Sequence, residues 1–231
     1  FWMADTAWNG PLRSTDEDWD HYLETRTSQR YTAVQWIATQ WHGRPEGDID
    51  GRVAYTGKET IQINPDFFQR MDRRVSAALD AGLLPSPVML WAIGSREAHD
   101  VNPGYGLPED QAIYLGKYMV ARWGAYPVVW ILGGDGNYRE ERAERWKRIG
   151  AGVFGNSPDA PVAMHCGGKQ WIADEFRNES WMQIVGYQSG HGDSDAVFEW
   201  IVAGQPATDW RKQPRQFQLN MEPCYENHIA Y

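Results

Sequence analysis

Two carboxylates in this chain stand where they could do chemistry. In VVWILGGDGNY (residues 128–138) an apolar run meets two glycines, and Asp135 sits in front of a third. In QFQLNMEPCYE (residues 216–226) Glu222 closes an alternating run, and Pro223, which has no backbone donor, stops it. Gly133 and Gly134 read as positions cleared of side chains for close approach of a ligand or another backbone, with Gly136 letting the chain turn away. The same letters also fit an ordinary strand-to-helix turn in which Asp135 caps locally. Facing one another across a pocket, the two acids would have the equipment to cleave a glycosidic bond. One, held protonated, donates to the departing oxygen, while the other attacks the anomeric carbon or activates water. An ionised carboxylate also stabilises the cationic transition state more than the neutral substrate.

Alternating elements must bring these acids together. Strand-like runs occur at FWMADTAW, YTAVQWIA, PSPVMLWAI, PVVWILGGD, PVAMHCGG, WMQIVGYQSG and RQFQLNMEP, spaced by roughly 30 residues. Helix-like stretches fall at about 16–29, 65–82, 108–124, 139–152 and 193–203, with start signals at Asp16, at Asn64 before Pro65 and at Leu107 before Pro108. This alternation predicts an α/β fold with a parallel sheet of βα units. A doubly wound open sheet and a (β/α)8 TIM barrel both fit. The even repeat and the lack of a Gly-rich dinucleotide fingerprint after the first strand favour the barrel. So does the scatter of polar residues over the C-terminal ends of many strands, where such barrels build their sites. Asp5, Gln35, Trp91, Asp135, His165, Gln188 and Glu222 each lie at or just past the end of a different strand. The expectation is a single domain over residues 1–231, a barrel truncated to about seven βα units with the eighth missing. In the last strand a period of two places Gln216, Gln218, Asn220 and Glu222 on the barrel axis, and Phe217, Leu219 and Met221 toward the helices.

Composition narrows the partners. At 231 residues and 42% hydrophobic content the chain can bury a full core. A formal net charge of -9 argues against a nucleic-acid partner, which would need a basic patch. No run approaches the roughly 18 apolar residues of a membrane span, so membrane insertion is not expected. Two cysteines, Cys166 and Cys224, exclude a four-cysteine zinc site and a three-cysteine radical cluster. They could form one bridge or stand as two buried thiols. ADTAW carries no His-x-His at the end of the first strand, which disfavours a metal-dependent barrel hydrolase, and no cofactor is called for. The 13 tryptophans suggest flat apolar platforms suited to sugar rings, with some serving as ordinary core.

Other residues could bind substrate. Asp5, Trp8, Gln35 and Trp91 could hydrogen-bond or stack a sugar, and Asn137, His165, Gln188, His191 and Tyr225 are candidate hydroxyl binders. Trp8 and Trp91 could equally be core aromatics, and His165 a satisfied structural histidine. SGHGDSD (residues 189–195) reads as a helix cap with a substrate contact rather than a metal site. Tyr225 and Glu226 are placed to orient Glu222.

ADTAW, WILGGD, GYQSGH and NMEPCYE together resemble the apiosidase-like glycoside hydrolases, family 140, over nearly the whole chain. The resemblance implies a (β/α)8 glycosidase with Asp135, in the GGD motif, as acid/base. Glu222, in the E-P-x-Y-E motif, would be nucleophile or stabiliser. It implies an oligo- or polysaccharide substrate of plant or bacterial origin, a secreted or periplasmic location, and a further β-rich domain that is absent here. The polar excursion at residues 42–62 reads as a specificity loop. The competing class is a carbohydrate-binding barrel without turnover.

Overall fold

The structure, a computed structural model, describes residues 1–94 and 100–229. Its strands are β1 (Ala4–Thr6), β2 (Ala33–Ile37), β3 (Tyr55–Thr56), β4 (Gln62–Ile63), β5 (Leu84–Trp91), β6 (Trp130–Gly134), β7 (Val162–His165), β8 (Ile184–Gln188) and β9 (Phe217–Glu222). Seven of them form one all-parallel sheet in the order β1-β2-β5-β6-β7-β8-β9, curled into a nearly closed barrel with β1 and β9 at its edges. These are the seven expected strands in chain order. The short antiparallel pair β3–β4 lies at the end of the polar excursion read as a specificity loop, with Ile63 one residue beyond it.

Helices fill the crossovers: α1 (Gly10–Arg13), α2 (Asp16–Ser28), α3 (Pro65–Asp80), α4 (Pro103–Gly106), α5 (Glu109–Trp123), α6 (Glu141–Phe154), α7 (Ala173–Phe176), α8 (Asp195–Ala203) and α9 (Gln205–Asp209). Local chemistry sets their starts. Thr15, not Asp16, caps α2, in a reciprocal box with Asp18. Asn64 accepts from Asp66 N ahead of α3, as expected. Leu107 ends α4 instead of capping α5. The stripe Phe67, Phe68, Met71, Val75 and Ala78 seats α3 against the barrel, with all five side chains buried. Burial on that scale is worth roughly 1.5–3 kcal/mol for each large side chain.

Nine of the 13 tryptophans are buried: 19, 36, 41, 91, 123, 130, 146, 171 and 181. The tryptophan surplus is therefore mainly core. Both cysteines are free, Cys166 buried and Cys224 exposed, so the expectation of two buried thiols holds for only one.

Strand β9 faces the opposite way from its predicted pattern. Paired residues on parallel strands share a face, and the ladder runs His165–Gly186–Leu219, which puts Leu219 on the inner face with His165. The Gln218 amide reaches outward, donating to Pro206 O and accepting from Trp210 N at α9. Asn220 is tied to Ser189. A register shift then pairs Gln188 with Glu222, and this irregularity turns Glu222 back to the inner side.

Candidate active site

Asp135 follows β6 with a left-handed backbone, φ 45. Aspartate is among the few non-glycine residues that tolerate this region. The turn is thus made on the acid itself and not on Gly136. The glycines before it serve a purpose other than ligand clearance. A side chain at Gly134 would strike Trp91 and Val88, and one at Gly133 would strike Tyr138 and Trp146. The space they leave is filled by the protein's own aromatic rings.

Asp135 lies at the junction of two cavities. One, of about 530 Å³, also contains Gln188, His191 and Glu222. The other, of about 510 Å³, contains Asn137 with Arg142 and Arg145 from the first turns of α6. The two acids, 87 positions apart (222 − 135) in sequence, therefore line one hollow at the C-terminal end of the barrel. Gln188 Oε1 is buried without a hydrogen-bond partner among the described residues, leaving an acceptor beside that hollow.

Glu222 is held on both oxygens. The Tyr225 hydroxyl donates to Oε1, and His191 Nε2 stands 3.4 Å from the same oxygen. His165 Nε2 lies 3.2 Å from Oε2, at ion-pair distance but off the line of a hydrogen bond. These surroundings drive the two acids in opposite directions. Burial pushes the Asp135 carboxyl above its ordinary range, and the charge of Glu222 adds to the rise while His165 opposes it. Burial alone would raise Glu222 too, but His165, the Tyr225 hydroxyl and His191 outweigh it and leave Glu222 below the usual glutamate value. Burial, followed by the Glu222 charge, pushes the Tyr225 phenol well up, so it remains a donor.

Other predicted residues fall elsewhere. Asp5 faces α2, where its Oδ2 accepts from the Tyr22 hydroxyl and from Arg26 Nε, each at 2.6 Å, and it does not reach the acids. Gln35 is buried beneath the mouth, donating to Met221 O. Trp91 is 3% exposed and packs edge-on against Trp8 and Trp41, so it is core. Trp8 gives its N–H to Tyr225 and one ring face to His165, and its remaining surface lines a separate cavity beside Asp5 and Arg26, away from Asp135 and Glu222. His165 itself is fully buried behind Glu222 and contacts the acid, not the cavity. Lys169, Arg142 and Arg145 line the two cavities and were not anticipated. HCGGK, another strand-end run, carried the signal for Lys169; Arg142 and Arg145 showed only as three residues apart on one helix face. Among the described residues no three His, Cys, Asp or Glu side chains converge to hold a metal ion, and no helix is long and apolar enough to cross a membrane.

Two differently tuned acids lining one hollow at the C-terminal mouth of a parallel barrel are the arrangement expected of a (β/α)8 glycosidase. The chain belongs to the apiosidase-like family of glycoside hydrolases: the family's catalytic-domain model matches residues 1–231. Solved structures agree on the fold. A glycoside hydrolase family 5 protein from Bacteroides vulgatus is similar with TM-score 0.79 and 20% identity, over 100% of this chain and 50% of that one. A structure described as a glycoside hydrolase gives TM-score 0.79 and 20% identity, over 100% and 56%. Thermotoga maritima Cel5A, in a mutant form in complex with cellobiose, gives TM-score 0.61 and 15% identity, over 94% and 75%. The chain spans about half the length of the first two. No curated protein sequence matches it.

Proposed function

We propose that this domain hydrolyses a glycosidic bond in a plant or bacterial polysaccharide, as an apiosidase-like enzyme acting outside the cytoplasm. Asp135 is the acid/base and Glu222 the ionised nucleophile or stabiliser. The observation that carries this reading is one cavity whose two carboxyls are pushed apart in pKa, Asp135 up and Glu222 down. Such a divergence assigns roles: the raised acid keeps a proton to give to the departing oxygen, and the lowered one keeps its charge for the developing cation. Gln188 offers its unpaired Oε1 to a sugar hydroxyl, and His191 lines the same cavity. Asn137 and the two arginines would meet the other side of the bond, because Asp135 separates their cavity from that of Glu222.

The test is reducing-sugar release from plant pectic fragments by wild type, Asp135→Asn and Glu222→Gln, with binding measured alongside. Hydrolysis by wild type alone, with binding retained in all three, supports the assignment. Binding in all three with hydrolysis in none would mean a carbohydrate-binding barrel without turnover.

A further inference from the structure

We infer that Trp8 is a positioning residue for Glu222, because it holds in place the two groups that address the two oxygens of that carboxylate. This inference rests on the ionised role proposed for Glu222. Trp8 Nε1 donates to the Tyr225 hydroxyl oxygen at 2.7 Å, and that hydroxyl donates onward to Glu222 Oε1. The Trp8 ring stacks on His165, with centroids 5.7 Å apart and an interplanar angle of 15°, and His165 Nε2 is the group nearest Glu222 Oε2.

The chemistry of an indole gives this arrangement a direction. Indole N–H can only donate, so a phenol that accepts from it must use its own single proton elsewhere. Here that proton is sent to Glu222. Thr6 on β1 also addresses the Tyr225 phenol. Trp8 follows β1 and Tyr225 follows β9, the two edges of the sheet, which make no ladder with each other. Glu222 ends an edge strand and has a neighbouring strand on one side only, so the Trp8–Tyr225 bond adds support from the other, where Gln35 of β2 already holds Met221 O. The titratable groups around Glu222 are His165 from β7, His191 after β8, Tyr225 after β9 and Asp135 after β6, with Lys169 and Asp193 lining the same cavity and His228 packed against the Tyr225 and His191 rings. Trp8 is uncharged, so its effect on Glu222 must pass through the placement of Tyr225 and His165.

The decisive variant is Trp8→Phe, which removes the N–H while keeping an aromatic ring. Its readouts are the carbon-13 NMR titration of the Glu222 carboxyl, assigned by its loss in Glu222→Gln, and the pH dependence of kcat/KM. The Glu222 midpoint and the acidic limb are expected to rise by about one pH unit, kcat to fall about tenfold, and KM to stay within about twofold. Tyr225→Phe should raise the midpoint at least as much, and adding Trp8→Phe to it should give no further rise. In wild type the Trp8 indole proton should show a hydrogen-bonded shift that disappears in Tyr225→Phe. An unmoved midpoint in a folded Trp8→Phe overturns the inference, as does a raised KM with unchanged kcat and limb, which would mark a sugar platform. Should Trp8→Phe fail to fold, an unmoved indole proton or an unmoved Glu222 midpoint in Tyr225→Phe overturns it equally. The carboxyl titration needs no turnover. A wild type that titrates as described but releases no sugar would therefore defeat the hydrolase reading and leave this one standing.

Discussion

Gly134 provides a sharp test of what the two glycines before Asp135 are for. It pairs with Trp91 in the β5–β6 ladder, and a methyl at its Cβ position would enter the six-membered half of the Trp91 indole and Val88 Cγ1. Trp91 is 3% exposed and Val88 fully buried, so neither can swing into solvent. Gly134→Ala is therefore an overpacking substitution, costing about 1–3 kcal/mol. The lower entropy of the unfolded alanine chain returns about 0.4–1 kcal/mol. The net loss centres on about 1.3 kcal/mol and does not exceed about 2.6 kcal/mol, and for a domain of this size a Tm shift of about 2–4 °C accompanies each kcal/mol. Calorimetry should accordingly find Tm lower by about 3–5 °C. Trp91→Ala deletes the clashing ring, so the two losses should combine less than additively. If these glycines instead cleared space for a ligand, Gly134→Ala would keep its Tm and raise KM. That result would refute the packing argument.

Asp135→Asn should cut kcat by about 10²–10⁴, as for loss of a general acid, and abolish the basic limb that Asp135 sets in the wild type. It should also raise Tm at neutral pH. The folded pKa of Asp135 lies above its unfolded value, so ionisation costs stability as pH rises from the ordinary aspartate range through the folded pKa, and the gain should vanish below that range. Asp5→Asn should cost about 1 kcal/mol by denaturant unfolding, through the Arg26 and Tyr22 contacts, and leave KM unchanged. A raised KM would return Asp5 to the substrate site.

The strands and the positions of both acids were legible because each follows from a short, local pattern. Short strand-like runs recurring at regular spacing between helix-like stretches marked all seven barrel strands, and polar residues at strand ends marked the mouth. Lateral contacts were not legible. Asp5 satisfies the strand-end rule as well as Asp135 does, yet its ladder partner is the buried Val34 and its carboxylate finds Arg26 on α2. Nothing in ADTAW distinguishes a carboxylate facing the axis from one facing a helix. Trp8 and Trp91 likewise satisfy the composition argument for sugar platforms, but Trp91 is buried and Trp8 stacks one ring face on His165. Whether an aromatic surface is open depends on what the rest of the chain packs against it, and that information lies far away in sequence.

The reversal in β9 carries the same lesson into the chemistry. Strict alternation reached the correct side for Glu222 through two errors that cancel: Leu219, not Gln218, faces inward, and a register shift before Glu222 restores the acid to the inner face. The irregularity sits where it has most effect. One residue earlier the strand still packs apolar Met221 over Gly186; one residue later Pro223 has left the ladder. An unbulged β9 would turn the carboxylate toward the helices, away from the His165 and His191 groups that hold its pKa down. The lowered pKa of Glu222, and with it the division of labour with Asp135, therefore depends on a single extra residue in one edge strand.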